Sequence, residues 1–335
     1  MRVLVTGGTG YIGAHACVAL LQKDHEVLVL DNLSNSSPVV IDRIQLITKR
    51  SIEFIEGDIR DQALLLKVMS EFKPEVVMHF AGLKAVSESV QHPLQYYNVN
   101  VCGSLELLKA METSESSLFI FSSSATVYGL PEYLPYDENH PTVPTSPYGQ
   151  SKLMVERVLR DWVKANKNRR AICLRYFNPV GAHISGLIGE DPKNIPNNLM
   201  PLLVQTASGR RARLSIFGND YDTRDGTGER DYIHVSDLAN GHLLALEKHG
   251  LLDHYQIINL GTGSGTTVKE LIAEFEISTK KKIKIKKMGR RLGDIAKFYA
   301  DPKLAAELLD FKCEKSISDM CIDSWNWEKQ NPHGY

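Results

Sequence analysis

Val3-Leu4-Val5-Thr6-Gly7-Gly8-Thr9-Gly10-Tyr11-Ile12-Gly13, at the start of a 335-residue chain, decides how the rest is read. A short apolar run stops at Thr6, and a glycine string leads into helical sequence. Gly7, Gly10 and Gly13 keep the backbone slim where a pyrophosphate must approach, and the helix N-terminus adds N–H donors and positive partial charge. The next apolar run, Val27–Leu30, ends on Asp31, 18 residues past Gly13. An acid there accepts from a ribose 2′-OH and repels a 2′-phosphate, which points to NAD rather than NADP. Asp58, after the third run, is placed to approach the adenine, and Phe80-Ala81-Gly82 closes the fourth.

Working outward, further strand candidates are Phe54-Ile55, Val76–Met78, Leu118–Phe121 and Ile172–Leu174. Their apolar residues run together instead of alternating, as suits strands covered on both faces. Helical segments near 11–23, 61–72, 93–112 and 147–167 separate them, so an α/β fold with a doubly wound parallel sheet is expected. Beyond Asn178 proline and glycine become frequent. Tyr232-Ile233-His234, a helix near 236–248 and Gln256–Leu260 read as a return to that sheet. The expected division is a NAD-binding domain over 1–177 plus about 231–262. A smaller, discontinuous α/β domain for substrate then takes about 178–230 plus 263–335.

Composition narrows the function. The chain is 43% hydrophobic and 24% charged with a formal net charge of −1, which argues against broad electrostatic binding of nucleic acid or anionic membrane. Cys17, Cys102, Cys173, Cys313 and Cys321 have no metal-ligand spacing and read as reduced thiols. With no signal-like segment and no long apolar run, a soluble cytoplasmic protein without a metal is expected. Lys280–Lys287 is the one charge run. Ile283 and Ile285 alternate with its lysines, so it reads as an edge strand with one face inward, the lysines discouraging edge-to-edge pairing. A nucleic-acid patch is the sharper alternative, though the run holds no aromatic residue.

Tyr148 and Lys152 are the chemical pair. Ser146-Pro147 is a credible N-cap and first helical residue, placing both side chains on one helix face four residues apart. A free tyrosine has a pKa near ~10. A lysine beside it and a positive nicotinamide ring favour the phenolate, making Tyr148 a usable base. Ser124, on the strand that ends in three serines, can hydrogen-bond the same reacting hydroxyl. Met154, Val155, Val158, Leu159, Trp162 and Val163 form a broad apolar stripe on this helix, suited to a homodimer helix bundle or to deep burial.

With these residues on the page the chain resembles the UDP-hexose 4-epimerases of the extended short-chain dehydrogenase/reductase family, nearly end to end. The likeness runs through Thr6–Gly13, Leu30-Asp31-Asn32, Glu56-Gly57-Asp58, His79–Val86, Phe119–Gly129, Ser146–Val155, Leu174–Ala182, Gly189–Pro201, Ile216–Asp220 and Arg230–His234. It implies interconversion of UDP-glucose and UDP-galactose through a 4-keto sugar, on a tightly held NAD. It also assigns Tyr11, Ile12, Asn32, Asn35, Ile59, Lys84, Ser122, Tyr176 and Phe177 to the cofactor, with Tyr148 and Lys152. Ser124, Asn178, Asn198, Leu199, Ser215, Phe217, Arg230, Arg291, Asp294 and Phe298 fall to the UDP-sugar. The two arginines suit a diphosphate because guanidinium pairs with phosphate oxygens in a forked geometry.

Departures are local. Val99 stands where the family often has asparagine, the segment after Asn32 is short, and Lys280–Lys287 is unusually basic. Phe298 sits where bulk limits room for an N-acetyl group, so plain UDP-hexoses are the expected substrates and N-acetylated ones the alternative. A 4,6-dehydratase would need acids near Ser124, and Ser124-Ala125-Thr126-Val127-Tyr128 has none. A non-catalytic NAD-binding regulator would have little use for Ser124, Tyr148 and Lys152 together.

Overall fold

A computed structural model describes residues 1–193, 196, 198–291 and 293–335. In its first half β1 (Arg2–Thr6), α1 (Tyr11–Gln22), β2 (Glu26–Asp31), α2 (Val39–Thr48), β3 (Glu53–Glu56), α3 (Gln62–Glu71) and β4 (Val76–His79) alternate. Then come α4 (Val86–Gln91), α5 (Pro93–Tyr96), α6 (Gly103–Glu112), β5 (Leu118–Ser124), α7 (Pro147–Lys164) and β6 (Arg170–Tyr176). Between α5 and α6 the residues Tyr97–Cys102 wind as a π-helix, so 93–112 is helical with a local widening. The second half contributes β7 (Asn178–Val180), α8 (Leu199–Ala207), β8 (Leu214–Phe217), β9 (Glu229–His234), α9 (Val235–Glu247) and β10 (Tyr255–Leu260). It ends with β11 (Gly265–Thr267), α10 (Val268–Thr279), β12 (Ile285–Met288), β13 (Lys297–Phe298), α11 (Lys303–Leu309) and α12 (Ile317–Gln330).

Seven strands form one parallel sheet in the order β10-β6-β5-β4-β1-β2-β3. Successive residues point to opposite faces, and both faces are dry. Val3, Val5, Val27, Val29 and Met78 pack with α1 and α9 on one side. Leu4, Leu28, Leu30, Val77, Phe119 and Phe121 pack with α3, α6 and α7 on the other. Burial of both faces is why these strands read as unbroken apolar runs. Strand order reverses between β1 and β4, and ligands in such folds bind at the crevice this leaves at the strand carboxyl ends.

Two expectations are corrected and one open choice is narrowed. Tyr232–His234 does not return to the main sheet; β9 pairs with β7, β11 and β13 in a second, smaller sheet, and only β10 rejoins the first. Buried Asp231 holds β9 there, accepting from the backbone N–H groups of Thr262, Gly263 and Ala300. The apolar stripe of α7 is largely spent at home, since Val155, Leu159, Trp162 and Val163 lie in the core and Met154 is 37% exposed. The lysine run holds Ile283 inward, but its strand β12 is exposed throughout, Ile285 included, and pairs in parallel with β8.

Candidate active site at the strand carboxyl ends

The glycine string turns sharply between β1 and α1. Gly7 has φ +74°, and a Cβ there would lie 2.5 Å from the Ala81 amide nitrogen. A Cβ on Gly13 would lie 2.2 Å from the Gly7 carbonyl oxygen. No side chain fits either place, so the loop after β1, the start of α1 and Phe80-Ala81-Gly82 after β4 form one close-packed floor. Ala81 N–H donates to the Thr6 carbonyl, completing it.

Asp31 ends β2, accepting from the Thr9 and Leu33 amides and the Ser36 hydroxyl, which leaves acceptor capacity at the rim of this floor. Asp58 accepts from Asn32 and from the Arg60 guanidinium, which holds its carboxyl well below the usual range. Ile59 is buried against Gly103 at the start of α6. Tyr11 donates to the Gly181 carbonyl at 2.7 Å, tying the glycine loop to the chain after β7, while Ile12 packs on the core. Asn35 accepts from the Lys193 amide. The Phe80 ring centre lies 4.7 Å from that of His242, the two planes tilted by 43°.

On the other side of the crevice stand β5 and α7. Ser146 caps α7, accepting from Gly149 N–H, with Pro147 as first helical residue, as the sequence indicates. Tyr148 and Lys152 are both buried. Lys152 Nζ donates to the Ser122 carbonyl at 2.8 Å and lies 5.9 Å from the Tyr148 ring centre. Burial raises the Tyr148 pKa and the Ser124 hydrogen bond opposes it; burial lowers Lys152 to about 8 while Glu156 acts the other way. In the protein's own field Tyr148 therefore stays a phenol, and positive charge at the ring edge is what would ionise it. The Ser122 hydroxyl is hydrogen-bonded to Tyr176 OH, and Thr126 Oγ1 donates to Ser124 at 3.0 Å.

The remaining candidate residues come from the loop after β4 and from the second half. Lys84 pairs with Glu190 at 2.8 Å, and Asn198, which precedes α8 and Leu199, donates to the same carboxylate. Arg230 on β9 pairs with Asp294 at 2.5 Å. The Arg291 guanidinium lies 3.9 Å over the Phe217 ring, and Ser215 sits two residues earlier on β8. Asn178 opens β7 opposite Tyr232. Phe177, Tyr136 and Phe298 form an aromatic wall, with Phe298 5.0 Å from Tyr136 and 5.1 Å from Phe177. Among the described residues no group of three His, Cys, Asp or Glu side chains could hold a metal ion.

Reading the sequence missed several polar residues beneath the site. Asn100, in the π-helix next to the unusual Val99, binds both the N–H and the carbonyl of Leu83 and donates to Ser151. Its signal was positional only, since a π-turn inside a helix often marks functional ground. Glu156, Arg175 and Ser123 form a buried cluster whose members stood in quoted or neighbouring stretches without a role.

A doubly wound parallel sheet, a glycine floor at its switch point and a tyrosine–lysine helix beside it define a nicotinamide-dependent sugar-nucleotide enzyme, and the chain belongs to the NAD dependent epimerase/dehydratase family, whose profile matches residues 3–261. It is 53% identical to the UDP-glucose 4-epimerase of Haemophilus influenzae over 100% of this chain and 99% of that protein. To the human UDP-glucose 4-epimerase it is 51% identical, over 100% of this chain and 98% of the other. A solved UDP-glucose 4-epimerase from Bifidobacterium longum, in complex with NAD+ and UDP, superposes with a TM-score of 0.96 at 47% identity, covering 100% of both chains.

Proposed function

We propose that the protein interconverts UDP-glucose and UDP-galactose by epimerisation at C4, using NAD that is regenerated in each cycle. The observation that carries this reading is the meeting of Ser124, at the carboxyl end of β5, with Tyr148 and Lys152 in the first two turns of α7, across the crevice from the glycine floor. NAD held on the glycine floor by Gly7, Gly10, Gly13 and Asp31 would supply the hydride acceptor for C4 of the hexose and the hydride for its opposite face. Tyr148, as phenolate, takes the 4-OH proton and later gives one back; Ser124 holds the same oxygen through its hydroxyl. Lys152 supplies positive charge that stabilises the phenolate.

The reaction also needs a firm grip on UDP and a loose one on the sugar. Arg230 and Arg291 suit the diphosphate, with Asp294 exchanging its present pairing with Arg230 for the substrate, and Asn178, Asn198, Leu199, Ser215 and Phe217 line its approach. Gly7, Gly10, Tyr11, Ile12, Gly13, Asp31, Asn32, Asn35, Asp58, Ile59, Phe80, Ala81, Gly82, Lys84, Ser122, Tyr176 and Phe177 surround the dinucleotide. The main sheet then serves NAD and the discontinuous second unit serves the UDP-sugar.

The test is incubation with UDP-galactose without added reductant. UDP-glucose should accumulate to an equilibrium mixture; an untouched substrate would overturn the proposal. UDP-N-acetylglucosamine belongs in the same assay. The Phe298–Tyr136–Phe177 wall leaves little give for an extra acetamide, so this substrate should turn over at least about tenfold more slowly, roughly 1.4 kcal/mol of discrimination. Equal rates would remove Phe298 as the selector.

We further propose a homodimer and a cytoplasmic setting. No helix is long and apolar enough to cross a membrane among the described residues. Val90 and Leu94 are 62% and 81% exposed beside Met154 of α7, an apolar surface that a second copy would cover. Light scattering at micromolar protein should give twice the 37.5 kDa chain mass, and a monomer there would rule the dimer out.

A further inference from the structure

Ser123 and Arg175 stand directly opposite one another on β5 and β6. Their side chains leave the sheet on the α7 side and converge on one carboxylate. Glu156 Oε1 accepts from Ser123 Oγ at 2.5 Å and from Arg175 Nε at 2.9 Å, while Oε2 accepts from Arg175 Nη2 at 2.6 Å. The Glu156 and Arg175 side chains are only 2% and 3% exposed. From the edge strand β10, Tyr255 OH donates to the Glu156 carbonyl. Neither proton nor hydride movement uses this cluster, and as core packing alone it is costly, because an ion pair at that depth loses its hydration.

Its place beside the reacting groups gives it a use. Glu156 lies one helical turn beyond Lys152 and two beyond Tyr148, on the same face of α7. Ser123 lies between Ser122, whose carbonyl receives Lys152, and Ser124. We propose that Glu156 is a positioning residue for the 4-epimerisation: through Ser123 and Arg175 it locks the end of β5 to the helix bearing Tyr148 and Lys152, and it gives buried Lys152 a negative partner one turn away. This rests on the activity proposed above.

The groups facing the pair set the sign of the effect. Burial draws Lys152 down to about 8 and Glu156 opposes that fall. Arg175, from β6, lies over the Tyr128 ring at 4.8 Å, and Tyr148, Tyr176 and Tyr255 are phenols raised chiefly by burial. His79, at the end of β4, is held neutral by burial, which lowers it to about 3, with Lys152 adding to the effect. Neutralising Glu156 therefore leaves Arg175 as an unmatched positive charge and pushes Lys152 toward its neutral form. The alkaline limb of kcat then moves to lower pH.

Two variants test this. Ser123→Ala removes one hydrogen bond without stranding a charge, and Glu156→Gln removes the charge itself. Both should keep the KM for UDP-galactose within about threefold while kcat falls about tenfold in Ser123→Ala and further in Glu156→Gln. In Glu156→Gln the alkaline limb should also move down by about one pH unit. In 13C-lysine NMR, the Lys152 Cε titration, assigned through Lys152→Met, should move the same way, a readout independent of turnover. Wild-type kcat in Ser123→Ala, or a loss that follows KM or the folded fraction, overturns the clamp; if Glu156→Gln does not fold, Ser123→Ala decides alone. An inert wild type in the same assay overturns the activity instead, so the two failures are distinct.

Discussion

Tyr148→Phe should lower kcat by about 10³-fold, or roughly 4 kcal/mol at the transition state, while UDP-galactose binding changes little. The phenylalanine ring retains the packing of Tyr148, including its edge contact with Tyr96 at 6.5 Å, so only the hydroxyl is lost. In the proposed reaction that hydroxyl exchanges a proton with the sugar 4-OH; Ser124 can hold the oxygen but cannot be a base near neutral pH. Because the phenolate is the active form, wild-type kcat should climb with pH as it forms, burial shifts that limb to higher pH, and the variant should lose it. The measurement is steady-state kinetics from acid to alkaline pH, with bound NAD and thermal stability measured alongside. A variant retaining more than a tenth of wild-type kcat would take the base role from Tyr148.

Gly13→Ala should cost the protein its cofactor. The added methyl would lie 2.2 Å from the Gly7 carbonyl oxygen and 2.9 Å from Gly8 Cα. Neither is the yielding end of a side chain, so α1 must move off β1 or the loop must open. Overpacking of this kind costs about 1–3 kcal/mol, or a few degrees of Tm in a chain this long. The effect on NAD should be larger, because the proposed pyrophosphate site uses those same amides: dinucleotide released on denaturation should fall at least about tenfold. Gly10→Ala is the control for stability, since its methyl would meet only the Gly7 oxygen, at 3.2 Å. A Gly13→Ala protein with full NAD content and the Gly10→Ala Tm would refute the steric account.

The parallel sheet was legible because its strands are dry on both faces, so Val3–Val5 and Val27–Leu30 announce themselves without help from distant residues. Ser146-Pro147 was equally plain, since capping is decided within one turn. Long-range contacts were not legible. Tyr232–His234 has the composition of a main-sheet strand, and only the docking of Asp231 onto Thr262, Gly263 and Ala300 assigns it elsewhere. The stripe on α7 looked surplus until the π-helical turn at 97–102 and the sheet were seen to cover most of it. Asn100 and Glu156 carried no sequence signal, because their partners lie 17 and 19 residues or more away and are met only in three dimensions.

Three links run from the glycine-loop side of the crevice to the chain between residues 181 and 193, the first two already described. Tyr11 OH donates to the Gly181 carbonyl, Lys84 meets Glu190, and Lys193 Nζ donates to the Leu33 carbonyl. The last two are partly exposed and individually weak, but Tyr11 is enclosed, and parting the crevice breaks all three together. If the dinucleotide leaves through that crevice, its dissociation rate should follow the concerted opening rather than its own contacts. Such a protein should stay loaded through dilution and chromatography, behaving toward NAD as a flavoenzyme behaves toward its flavin.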